Sequence, residues 1–267
     1  MAAPRLPAIP EAAGHEAAGA LWSRPFLIFL LVYFCVFMSF YMQFSTLSPY
    51  LASQGLSHAA VGLVIGSFTL TSIASRLLSA RLAVAWGPLK TARAGLAIIA
   101  VGILFFFVRP GAPFFTAARL LQGAGFGLVS TLLISVVVKL IPHDRLGEGL
   151  GYMGLSTTVA MAAGPLAGLE LSGTFGYRAM FIAMDVAIAA SIVVSLMLPG
   201  FLEAREAPAP PPPGGRGAVI DFRPIWPGAL ALFYAAGITA VTVYLAVYCS
   251  ERHLPSAAAF FLVSTIG

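Results

Sequence analysis

The chain has 267 residues, 59% of them hydrophobic and 9% charged, with a formal charge of +5 and a mean hydropathy of +0.93. So much apolar surface exceeds what a single water-soluble core encloses, which excludes an ordinary soluble domain and points to the lipid bilayer. The positive charge does not imply a nucleic-acid partner, because it is spread over short loops between apolar runs, where the positive-inside bias accounts for it.

Residues 1–20 hold Pro, Ala and two Glu without a signal-peptide core and are expected to form a disordered cytoplasmic tail. Apolar runs long enough to cross ~30 Å as helices then follow at 25–47, 59–82, 91–108, 113–140, 150–172, 178–199 and 227–248. An eighth opens near Pro255. An N-terminus in the cytoplasm gives eleven Lys and Arg to the cytoplasmic segments and only three, Arg109, Arg178 and Arg252, to the opposite loops. That asymmetry predicts the orientation. Cys35 and Cys249 lie in different runs and read as core residues.

The first run carries Tyr41, Gln43 and Ser45, polar groups suited to line a cavity. Between the second and third runs, RLLSARLAVAWGPLKTAR (76–93) holds four cations and no acid around a Gly87-Pro88 reversal. Arg81 and Lys90 are expected to fix this loop in the cytoplasm. The fourth run contains Arg119, about six residues or ~9 Å deep, with Gln122 on the same face at i,i+3. Intramembrane charge is costly and marks a functional candidate. Asp185 in the sixth run is a second candidate and Glu170, near the end of the fifth, a third. For Arg119 the alternative is a structural bond to neighbouring carbonyls, and for Asp185 a partner such as Arg178 or a Ser hydroxyl.

Glycine pairs at i,i+4 (Gly62 and Gly66, Gly123 and Gly127, Gly164 and Gly168) let helices approach closely. They suit either ordinary packing or faces that slide in a rocking transporter. Pro165 interrupts its helix and predicts a kink. Residues 200–224 are rich in Pro and Gly and predict a cytoplasmic linker that separates a six-helix half, 21–199, from a second half beginning at 225. Tyr234, Thr239 and Tyr244 on the seventh run are further cavity candidates. YLASQGLSHAA (50–60) and YCSERHLPSAA (248–258) match at four positions, as a tandem six-helix repeat would, so the chain reads as a piece of a twelve-helix protein.

These features resemble the major facilitator superfamily of secondary transporters. RLLQGAGFG (119–127) is similar to its fourth-helix pattern, IPHDRLGEGLGYMG (141–154) to its entry into helix five, GPLAG (164–168) to the Gly-Pro signature of its antiporters, and FGYRAMF (175–181) to its opening of helix six. The resemblance implies an all-α helical bundle in the bacterial inner membrane that moves a small solute by alternating access. It also implies proton coupling, with Arg119 facing the cavity, and export by antiport. Gly164, Pro165 and Gly168 would be the helix-five hinge, and Arg81, Gly87 and Lys90 part of a gating loop in which Val84 stands at the position of the family's acid.

A proton-symporting uptake permease and a non-transporting membrane scaffold or sensor remain alternatives. A monomer is expected, without cofactor or metal, since His15, His58, His143 and His253 lack ligand spacing. GLGYMG (149–154) satisfies G-x-G-x-x-G, but no strand of a βαβ unit precedes it. No nucleophile elbow or carboxylate pair suggests an enzyme.

Overall fold

The first two helices begin where short hydroxyl side chains precede apolar runs. Ser23 Oγ accepts from Phe26 N at 3.4 Å, and Ser57 Oγ accepts from Ala60 N at 3.3 Å, each satisfying an orphan donor of a first turn. The computed structural model describes residues 21–108 and 111–197, together with residues 226, 228–230, 232–234 and 237. It contains α1 (Arg24–Ser53), α2 (His58–Trp86), α3 (Pro88–Val108), α4 (Ala112–Val138), a single 3₁₀ turn at His143–Arg145, α5 (Leu146–Thr174) and α6 (Tyr177–Leu196). The chain divides into two compact units, Met1–Arg205 and Glu206–Gly267. All six helices belong to the first unit, and the described residues of the second, among them Tyr234, are helical. The tail at 1–20, the linker at 200–224, Thr239, Tyr244 and the eighth run lie outside the described residues.

Five of the helices (α1, α2, α3, α4 and α6) are long and apolar enough to cross a membrane. α5 has 29 residues but is less apolar, because Gly, Ser, Thr and Glu170 interrupt its aliphatic residues. Most helices outrun their apolar stretches; α1 has 30 residues, or ~45 Å at 1.5 Å per residue. An apolar run marks the part of a helix in hydrocarbon, whereas caps and turns set its ends. Leu63, Leu70, Leu77, Ile182, Val186 and Val193 point outward and are largely exposed. In water such faces would be a liability, and in a bilayer they meet matching solvent.

Turns are tight. Gly55, Gly87 and Gly176 adopt positive φ of 83°, 86° and 83°, and Gly87 is followed at once by Pro88, which opens α3. Thr91 Oγ1 seals this reversal by donating to Gly87 O at 2.9 Å. Although connections are short, the most extensive packing joins α4 to α2 and α3, and α5 to α1. Exchanging the first three helices for the last three leaves the pattern of packed pairs unchanged: α1 with α5 becomes α4 with α2, and α1 with α6 becomes α4 with α3. Since α1 and α4 start at opposite ends of the bundle, the unit is an inverted three-plus-three repeat.

Glycine permits the closest of these contacts. A Cβ on Gly123 would collide with the carbonyl oxygen of Phe68 and the hydroxyl of Thr71 on α2, and one on Gly127 with the carbonyl of Ser72. On α5, a Cβ on Gly164 would lie 2.6 Å from the Cβ of Tyr41, and one on Gly168 would strike the carbonyl of Met42. Two of the three glycine pairs therefore serve contacts inside this unit, where backbone meets backbone. Gly62 and Gly66 differ, with no atom of the described residues within 4 Å of a Cβ at either.

At one end, Tyr50, Phe106, Phe115, Tyr177 and Phe181 stack around the C-termini of α1 and α3 and the N-termini of α4 and α6, with Phe106 and Phe181 rings 4.4 Å apart. At the other, Arg93 Nη2 donates to the carbonyl of Ser195 at 2.6 Å.

Candidate functional site

The side chain of Arg119 is 6% exposed, and it is held between α1, α2 and α4. It lies seven residues after Ala112 (119 − 112), or ~10 Å from the start of α4. Its Nη1 donates to Gln122 Oε1 at 2.9 Å and to Gln43 Oε1 at 3.1 Å. The guanidinium carbon sits 4.3 Å from the centre of the Phe68 ring, a cation–π contact that offsets part of the desolvation of the charge. Gln122 and Gln43 are themselves buried, at 2% and 6% exposed.

These groups border a cavity of about 20 Å³ lined by Val36, Ser39, Phe40, Gln43, Phe68, Ile99, Arg119, Gln122 and Phe126. That volume suits about one water molecule. Phe40 and Phe126 stack at 4.7 Å, and both contact Phe68, so three aromatic rings from α1, α2 and α4 make one wall. No acidic side chain pairs with Arg119 among the described residues; the ion pair found there, Arg145 with Glu148 at 2.8 Å, is surface-exposed.

Arg119, Gln122 and Gln43 thus come together as one cluster. Tyr41 and Ser45 face elsewhere: Tyr41 packs against Gly164, and Ser45 Oγ donates to the carbonyl of Pro165 at 3.4 Å. Residues two apart on a helix are about 200° apart, so Gln43 points away from Tyr41 and Ser45. Pro165 lies inside a continuous α5, and its glycine neighbours press on α1. Asp185 is half-buried on α6 and does not border the cavity; its Oδ1 is buried without a hydrogen-bond partner among the described residues, so neither Arg178 nor a described serine supplies the contact of the structural alternative. Glu170 is exposed and accepts from Thr174 Oγ1 at 3.3 Å. Arg81 and Lys90 are exposed on either side of Gly87, and Val84 is 77% exposed.

The aromatic wall was the part of the site that sequence did not reveal. One phenylalanine in an apolar run looks like any other, and only the register of α2 against α4 singles out Phe68.

The family model described as Major Facilitator Superfamily matches residues 29–267. The chain belongs to the major facilitator superfamily. Among similar proteins, an uncharacterised MFS-type transporter of Mycobacterium tuberculosis is 29% identical over 190 residues, covering 69% of this chain and 33% of that protein. The MFS-type transporter YbcL of Bacillus subtilis is 24% identical over 223 residues, covering 83% of this chain and 56% of that one. An MFS-type transporter of Burkholderia mallei is 29% identical over 150 residues, covering 56% and 36%. The chain therefore spans from a third to just over half the length of these relatives. It is an all-α, multi-pass membrane protein of the MFS, and its inverted repeat is the arrangement general to each half of an MFS transporter.

Proposed function

We propose that the protein is a secondary transporter that moves a small solute across the inner membrane by alternating access, by proton-coupled export, with its N-terminus in the cytoplasm and a monomer as the working unit. The observation that carries this reading is the Arg119–Gln43–Gln122 cluster, a buried charge bordering a cavity on a bundle whose faces suit lipid. Arg119 bonds two side-chain carbonyls, yet its Nε has no partner among the described residues, and a transport site needs a charged group with such bonding capacity left over. Export is favoured by the Gly164-Pro165 pair, which resembles the antiporter signature.

Asp185 is the proposed protonation site, since an unbonded carboxylate oxygen on a half-buried side chain is free to take a proton. Solute flux measured in vesicles with an imposed proton gradient tests the coupling. Asp185→Asn is expected to lose gradient-driven flux and its pH dependence while keeping exchange at equilibrium; unchanged pH dependence rules Asp185 out of coupling.

The loop around Gly87 is assigned a second role as a cytoplasmic latch. The double substitution Arg81→Ala with Lys90→Ala is expected to reduce flux severalfold with topology unchanged, read by cysteine accessibility at loop positions. Inverted topology with no separate transport defect would leave these residues as orientation signals only.

A further inference from the structure

The Arg119 cluster is oversupplied with donors. Arg119 Nη1 serves both glutamine carbonyls, yet Arg119 Nε and Gln122 Nε2 are buried with no hydrogen-bond partner among the described residues. Because Gln122 Oε1 accepts from the guanidinium, its amide nitrogen is the end left over, and it has only hydrogens to offer. Both residues border the same cavity, whose other described walls are aromatic or aliphatic apart from Ser39 and Gln43. A buried donor without an acceptor forfeits its hydration and gains nothing in return. A buried cation without an anion costs more. The group that satisfies all three demands is an anion with two oxygens side by side.

We infer that the cluster binds the carboxylate of an organic anion, with Arg119 Nε and Gln122 Nε2 donating to its two oxygens. The inference rests on the transport reading and narrows it, since it sets the charge of the solute. A guanidinium offers a planar fork matched to carboxylates, and a site of low polarity strengthens each such bond. The cavity of about 20 Å³ has room for about one water molecule, so the charged head enters only as the surrounding side chains shift, and the body of the solute lies outside it. Phe40, Phe68 and Phe126 make that head's surroundings apolar, which suits a solute whose body is aliphatic or aromatic. A cationic solute would meet an unneutralised guanidinium at the same place and be repelled.

The test is binding to the purified protein in lipid nanodiscs, read by thermal unfolding and by competition against radiolabelled benzoate. Acetate, benzoate and indole-3-acetate are compared with ethylamine, benzylamine and tryptamine. At least one carboxylate is expected to raise the unfolding temperature saturably, with no effect from its amine counterpart. Gln122→Leu is expected to weaken that carboxylate about tenfold, the effect of one bond to a charged group, and Arg119→Gln to abolish its binding.

The inference is overturned if no carboxylate binds, if the amines bind as well, if Gln122→Leu binds unchanged, or if chloride competes as effectively as unlabelled benzoate, which would make it a site for simple inorganic ions. Binding is read apart from flux. Carboxylate binding without solute movement removes the transport reading and leaves the anion site, and flux of an amine without carboxylate binding does the reverse.

Discussion

Replacing Arg119 by alanine is expected to reduce solute flux by roughly a hundredfold or more. Two hydrogen bonds from a charged donor disappear together, each worth about 1.5–3 kcal/mol, and about 1.4 kcal/mol is a factor of ten. The glutamine carbonyls that received them, Gln43 and Gln122, are left buried and unsatisfied, and Phe68 loses the cation over its ring. Arg119→Lys is the sharper experiment. Nη1 alone serves both glutamines, a task one lysine nitrogen can also perform, but lysine has no second nitrogen to stand where Nε does. It is therefore expected to insert normally, remain monodisperse in detergent and transport at a few per cent of the original rate. Initial rates in inverted vesicles, normalised to protein in the membrane, provide the measurement. Near-normal flux in Arg119→Lys would show that charge alone matters and that the fork geometry does not.

The second large effect is expected at Gly123, which does not border the cavity. Its bare Cα lets α4 lie against the backbone of α2 at the carbonyl of Phe68. Because that opposing group is backbone, it has no rotamer by which to yield. Gly123→Val is expected to destabilise the unit by about 1–3 kcal/mol, the usual cost of overpacking, seen as a fall of several degrees in unfolding temperature. The same substitution should also impair transport, because Phe68 sits at this contact and its ring would be carried away from Arg119. Gly62→Val and Gly66→Val, where a Cβ meets no atom of the described residues within 4 Å, serve as the comparison and are expected to leave the stability of the unit within about 0.5 kcal/mol. If all three variants behave alike, close approach of α2 and α4 is not what Gly123 provides.

Much of the architecture was legible before any coordinates, and the reason is physical. A bilayer forces long apolar runs, and the helix period then puts Arg119 and Gln122 on one face. Gln43 was legible as a polar residue in the first run, but its separation from Tyr41 and Ser45 was not drawn from the same 100° step per residue. Phe68 was out of reach because its role depends on the register between α2 and α4, which is set by glycines on one helix and backbone on the other. Asp185 was visible as an intramembrane acid, whereas its lack of a bonding partner among the described residues is a fact of packing. The apolar runs open within a residue of α1, α2, α4 and α6 but stop six and four residues before the ends of α1 and α2, because hydropathy stops at the hydrocarbon boundary while α1 continues through Pro49.

The bond from Arg93 to Ser195 has a mechanical consequence. The last carbonyls of a helix have no internal partners, and a cation is well suited to fill the gap. Here the cation comes from the first turns of α3, some hundred residues earlier in the chain, and it engages α6 at its penultimate residue. The reversal at Gly87 and the exit from α6 are thereby riveted together, so a displacement of one drags the other along. Whatever pulls on the chain beyond residue 197 applies its leverage to the base of the α2–α3 hairpin as well.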